Sequence, residues 1–82
     1  MQIQVLLFGP HAEAIGRDKL ALTFDQSQVD CQTLLAKLIE TCPAHATLFQ
    51  HGRLAINCAY AKPTDLIRNG DEVAFVGMIS GG

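Results

Sequence analysis

One stretch restricts the possible architectures more than any other. Between Cys31 and Cys42 the residues Cys31, Leu34, Leu35, Leu38, Ile39 and Cys42 follow the spacing i, i+3, i+4, i+7, i+8, i+11, which lines one face of a helix. Gln32, Thr33, Lys37 and Glu40 lie off that face. Asp30 precedes it as an N-cap, its carboxylate able to accept from the free N–H groups of the first turn. Val29 and Leu34 stand at the two positions of a hydrophobic staple, and Pro43 stops the helix near Cys42. No other segment of the 82 residues carries so long a helical stripe, so this apolar face must lie on a sheet.

Strands are read on both sides of the helix. Gln2–Phe8 starts by alternating, with Ile3, Val5 and Leu7 on one face, and turns fully apolar at Leu6 and Phe8, as a central strand covered on both faces would. Gly9-Pro10 ends it, and Pro10 opens a short helix over Pro10–Ile15 closed by Gly16. Lys19–Asp25 alternates cleanly, Leu20, Leu22 and Phe24 pointing one way, and Gln26–Gln28 follows as a polar loop. After the main helix, Ala44–Gln50 makes a further short helical turn, broken at His51-Gly52. Leu54–Tyr60 reads as one strand with Leu54, Ile56, Cys58 and Tyr60 on one face, and Pro63–Gly70 as turns. Glu72–Val76 is the last strand, with Val73 and Phe75 inward.

Strand, strand, helix, strand, strand is an α+β order in which one helix covers one sheet face. A right-handed crossover sets the last strand beside the first and parallel to it. That arrangement is a β-grasp, the ubiquitin-like roll, with a mixed sheet. A ferredoxin-like sheet would need a second full-length helix, and Ala44–Gln50 is too short to supply it.

Composition narrows the function classes. Hydrophobic residues make up 49% and the net charge is −2, so the chain folds and presents no basic surface for nucleic acid or an anionic membrane. The longest aliphatic or aromatic run, Val5–Phe8, is far too short to span a bilayer. Met1–Phe8 lacks the features of a secretory signal. The expected location is cytoplasmic, or an organelle matrix if a targeting segment was removed.

The chain offers little catalytic equipment. Its three cysteines, Cys31, Cys42 and Cys58, form no Cys-x-x-Cys pair and have no zinc spacing; they read as reduced, small apolar residues. His11, His45 and His51 fall in separate segments and read as surface residues rather than a metal or catalytic set. No glycine-rich phosphate loop is present, and Asp71 and Glu72, as neighbours on a strand, point to opposite faces. The expectation is a chain with no catalytic residue and no metal site of its own, and so not an enzyme by itself.

The end of the chain remains. A β-grasp domain over 1–76 is expected to give way to a tail over 77–82, Gly77-Met78-Ile79-Ser80-Gly81-Gly82. Two terminal glycines alone are a weak signal, since at an average usage of about 7% they close roughly one chain in 200 by chance. Six residues nevertheless reach ~20 Å at about 3.3–3.6 Å each, enough to thread a narrow channel in another protein. Glycine, lacking a Cβ, fits such a slot. The reactive group is then the terminal carboxylate, which needs activation, for instance as an acyl-adenylate, before sulfur or an amine can attack it. The ionised sulfur of a resulting thiocarboxylate is the better nucleophile, as a thiolate is.

Taken together, Val5-Leu6-Leu7-Phe8-Gly9 with Ala12-Glu13-Ala14-Ile15-Gly16, then Leu34–Ile39, Asn69-Gly70-Asp71-Glu72-Val73-Ala74-Phe75 and the closing Ser80-Gly81-Gly82 resemble the MoaD/ThiS group of ubiquitin-like sulfur carriers, to which the molybdopterin synthase small subunit belongs. The resemblance covers essentially the whole chain. It implies that an E1-like adenylyltransferase, using ATP with magnesium, activates the carboxyl of Gly82, and that a sulfur donor converts it to a thiocarboxylate. It further implies docking into a large catalytic subunit as a heterotetramer and delivery of sulfur to cyclic pyranopterin monophosphate. No cofactor is held permanently. Gly82 would carry the sulfur, Gly81 and Ser80 would give clearance, and Ile79 and Met78 would make apolar contacts along the tail. The partner is expected to cover apolar surface on the open sheet face, contributed by Phe8 and Phe75.

One departure stands out. Carriers of the molybdopterin pathway usually place two prolines where this chain has Gly77 and Met78. Prolines pre-set an extended tail, so this one is expected to be looser. A thiamine-pathway (thiazole) carrier is therefore the alternative, followed by a ubiquitin-like modifier or plain binding module.

Overall fold

In the computed structural model, which describes residues 1–77, alternation shapes the first half of the sheet. Strand β1 (Gln2–Leu6) pairs antiparallel with β2 (Lys19–Thr23), Ile3 opposite Leu22 and Val5 opposite Leu20. All four side chains are buried. Between the strands runs α1 (Gly9–Ile15), with Gly16 at its C-cap. The strand ends at Leu6, two residues short of the expected Phe8. Leu7 still donates its N–H to the Asp18 carbonyl (2.8 Å) and is buried, but Phe8 takes the N-cap position of α1 and is 57% exposed. The second half of this segment is therefore not covered on both faces.

The main helix, α2 (Cys31–Thr41), forms where its stripe places it. Asp30 caps it, accepting from the N–H of Thr33 at 2.8 Å. Cys31, Leu34 and Leu38 are buried against the sheet, with Leu35, Ile39 and Cys42 at the margin. A 3-10 turn (Pro43–His45) leads into α3 (Ala46–Gln50), which buries Phe49.

The remaining strands are β3 (Gln28–Asp30), β4 (Gly52–Ile56), β5 (Ala59–Tyr60), β6 (Leu66–Arg68) and β7 (Val73–Gly77). The main sheet has five strands in the order β2-β1-β7-β4-β5. In it β7 runs parallel to β1, Val5 beside Val73, and antiparallel to β4, so the last strand lies beside the first and parallel to it as expected. β3 and β6 form a separate two-stranded sheet. Two expectations change here: Gln28 belongs to a strand rather than to the preceding loop, and the turns of Pro63–Gly70 enclose β6.

Leu54–Tyr60 is not one strand but a hairpin. β4 and β5 are joined at Asn57 and Cys58, both with positive φ (50° and 69°). Two successive left-handed residues make the turn whose twist suits a two-residue hairpin, where Asn-Gly is the preferred pair. Cys58 occupies the glycine position with a side chain that disfavours that conformation. We expect Cys58→Gly to raise stability by about 0.5–1 kcal/mol, read as a higher denaturant midpoint with unchanged slope.

Candidate functional site at the end of the central strand

The C-terminal segment leaves the fold from β7, third of the five strands and flanked by β1 and β4. The turn before β7 explains why Asn69-Gly70-Asp71-Glu72 has the residues it has. Gly70 takes φ +93°, where a side chain would be strained. Asp71 accepts from the N–H of Arg68 (2.8 Å) and from the Asn57 side-chain amide (3.1 Å). The Asn57 side-chain oxygen Oδ1 in turn accepts from the N–H of Glu72 (2.9 Å), and the backbone N–H of Asn57 donates to the Glu72 carbonyl (2.7 Å). The turn and the β4–β5 hairpin are thus tied together at the start of β7.

The Asp71 carboxyl is held below its ordinary range, first by the Arg68 N–H and next by the Asn57 amide. Asp30 is lowered likewise by the hydroxyl and N–H of Thr33. Both groups bind their proton less readily folded than unfolded. Their stabilisation is therefore present above the unfolded carboxyl value of 3.8 and is lost as pH falls through the lowered folded value. We expect the acid limb of a stability–pH curve, below about pH 5, to flatten in Asp71→Asn and further in Asp30→Asn/Asp71→Asn.

In the middle of β7, Phe75 is 1% exposed. Its ring meets Phe49 edge-on (centroids 5.1 Å apart) and His11 edge-on (5.4 Å). Phe75 therefore presents almost no surface of its own, although its ring forms part of the lining of the cleft beside the end of β7. Alternation turns it with Val73 toward the helix, and Ala74 and Val76, both half-buried, take the opposite face. Phe8 is the exposed aromatic of the expected pair. With Pro10, His11 and Val76 it lines a shallow apolar cleft of about 250 Å³ beside the end of β7. On the open sheet face Tyr60 is 61% exposed, the Arg53 guanidinium standing 4.9 Å from its ring centroid.

Of the histidines, His51 is exposed, whereas His45 and His11 are half-buried, and His11 packs at the root of the C-terminal segment. Among the described residues no three His, Cys, Asp or Glu side chains gather as a metal site. All three cysteines are free. Burial, with the nearby Asp65 and Asp30 carboxylates, pushes the Cys31 thiol up, away from the reactive thiolate. β7 extends through Gly77, one residue past the expected domain boundary at Val76. The residues assigned to the tail chemistry, Met78, Ile79, Ser80, Gly81 and Gly82, lie outside the described residues.

Comparison with known proteins supplies the deciding observation. The ThiS family profile matches residues 5–82, nearly the whole chain. The chain belongs to the ThiS family. The molybdopterin synthase sulfur carrier subunit of Chlamydomonas reinhardtii is 32% identical to this ThiS-family chain over 84 residues, covering all of both. Among solved structures, the small archaeal modifier protein SAMP1 of Haloferax volcanii superposes with a TM-score of 0.81 at 22% identity, covering all of both chains. A chain from the complex of subunits 1 and 2 of the molybdopterin-converting factor of Helicobacter pylori gives 0.67 at 18% identity, again over all of both. At these identities the structures establish the fold, a ubiquitin-like β-grasp.

Proposed function

We propose that this ThiS-family chain is the sulfur-carrier subunit of a molybdopterin synthase. The supporting observation is the end-to-end likeness to the Chlamydomonas carrier subunit, joined to a fold whose central strand leads directly toward the Gly-Gly end. A carboxylate oxygen of Gly82 attacks the α-phosphorus of ATP, bound with magnesium on an E1-like adenylyltransferase, and pyrophosphate leaves. Sulfur at the sulfide level then attacks the acyl carbon and displaces AMP, leaving a thiocarboxylate. A large subunit, assembled with the carrier as a heterotetramer, holds the catalytic residues, and two deliveries of sulfur to cyclic pyranopterin monophosphate complete the dithiolene. The carrier supplies shape, reach and one acyl group. No helix among the described residues is long and apolar enough to cross a membrane, and we place the reaction in the cytoplasm.

Intact mass after incubation with ATP, an E1-like enzyme and a sulfide source tests this reading. The expected result is a mass gain equal to exchange of one oxygen for sulfur, confined to the C-terminal peptide. The thiocarboxylated chain should then convert cyclic pyranopterin monophosphate in the presence of a molybdopterin synthase large subunit. Delivery only to a thiazole-forming enzyme would assign the thiamine pathway instead, and conjugation to amines would assign a modifier.

A further inference from the structure

Gly77 stands where carriers of the molybdopterin pathway usually place a proline, so a looser exit is expected from the sequence, and the structure supplies a different device there. A Cβ built on Gly77 would run into the imidazole of His11. That ring fills the space a side chain at 77 would use, and it also meets buried Phe75 in a T-shaped contact (centroids 5.4 Å apart). His11 is itself held in place: α1, on which it sits, packs Ala12 and Ile15 against the core and is closed by the Gly16 N–H donating to the Ala12 carbonyl at 2.8 Å. Topology brings the two ends together. β1 and β7 run parallel with Leu6 beside Ala74, so the segment that follows β1 lies next to the end of β7.

We propose that His11 is the positioning residue for the carrier's C-terminal segment, its ring pressing Gly77 onto the sheet so that the chain beyond it leaves from one fixed point and direction. This rests on the carrier reading for its purpose, though not for its geometry. Where prolines would stiffen the departing chain itself, a ring on a neighbouring helix clamps its base. Because the ring needs that space, glycine at 77 is a requirement of the clamp. Releasing Gly77 lowers the fraction of carriers whose C-terminus points into a partner's channel. Apparent affinity falls in proportion to that fraction, while the chemistry of those correctly placed is unchanged.

Two measurements on the full chain test the proposal. In His11→Ala the backbone order parameter of Gly77 should drop from about 0.85 toward 0.6 or below. The KM for the carrier in ATP-dependent adenylation should rise about 3- to 10-fold, with kcat unchanged. His11→Phe, which keeps a flat ring against Phe75, should restore both. Gly77→Ala should imitate His11→Ala by displacing the ring, and the double variant should be no worse than either single one, since both break the same contact. An order parameter and KM that stay at wild-type values in His11→Ala overturn the proposal. A loss of order with an unchanged KM also overturns it, because the contact would then be structural only. If the wild-type chain is not adenylated at all, the carrier reading fails, and the Gly77 order parameter still decides whether His11 clamps the strand.

Discussion

Removing Gly82, or adding one residue after it, is expected to abolish sulfur transfer while leaving the unfolding midpoint where it was. The two changes fail for different reasons. Deletion leaves a carboxylate on Gly81, chemically equivalent but drawn back by one residue, about 3.3–3.6 Å. A displacement of even 1 Å from the reacting geometry can lower a rate by about 10²-fold. Extension turns the Gly82 carboxyl into an unreactive amide and moves the free carboxylate one residue, about 3.3–3.6 Å, beyond the reacting position. Stability should be untouched because, among the described residues, the buried core side chains lie between Ile3 and Phe75. Intact mass for the thiocarboxylate and a thermal melt on the same samples check both halves. Sulfur transfer by the extended protein would overturn the terminal chemistry altogether.

The second large effect is thermodynamic. Phe75→Ala should destabilise the chain by about 3–5 kcal/mol, the range for truncating a buried aromatic. Phe75 meets Phe49 of α3 and His11 of α1 and is 1% exposed, so the loss leaves a cavity in the core between the sheet and these helices. A domain of this size melts about 4–8 °C lower per kcal/mol, and total stabilities are only about 5–15 kcal/mol. The variant should therefore be unfolded, or nearly so, at 37 °C. Phe8→Ala, by contrast, should shift stability by no more than about 0.5 kcal/mol, since Phe8 is mostly exposed. Any effect it has should appear in partner binding. Denaturant melts of the two variants, read together, separate the core aromatic from the surface one.

The contrast between these two phenylalanines shows where sequence reasoning succeeds and where it stops. The α2 stripe, its Asp30 cap and the clean alternation of β1 and β2 were legible because each is a periodic pattern longer than a single turn. Phe75 carried two readings, inward by alternation with Val73 and outward as an apolar anchor, and its side chain is buried while its ring forms part of the lining of the cleft beside Phe8. Alternation prevailed, because the period of a strand leaves no freedom about which face a side chain takes. The β4–β5 hairpin was hidden because Asn57-Cys58 lacks the glycine that usually announces such a turn, and the alternation continued across it undisturbed. β3 and β6, at three residues each, are too short to display a period at all. The His11 contact was deducible in principle. Once the last strand is set parallel to the first, whatever follows the first strand must adjoin the end of the last. The three scattered histidines gave no chemical reason to look there.

The position of β7 within the sheet has a mechanical consequence. Force applied at the C-terminal end of the chain would be carried by β7. Because the loaded strand has a neighbour on each side, tension along it acts in shear on both ladders at once and cannot peel them open one bond at a time, as it could at an edge. Resistance to such loading is governed by the rate of unfolding rather than by equilibrium stability. A central exit strand therefore resists such loading better than an edge strand of the same length would.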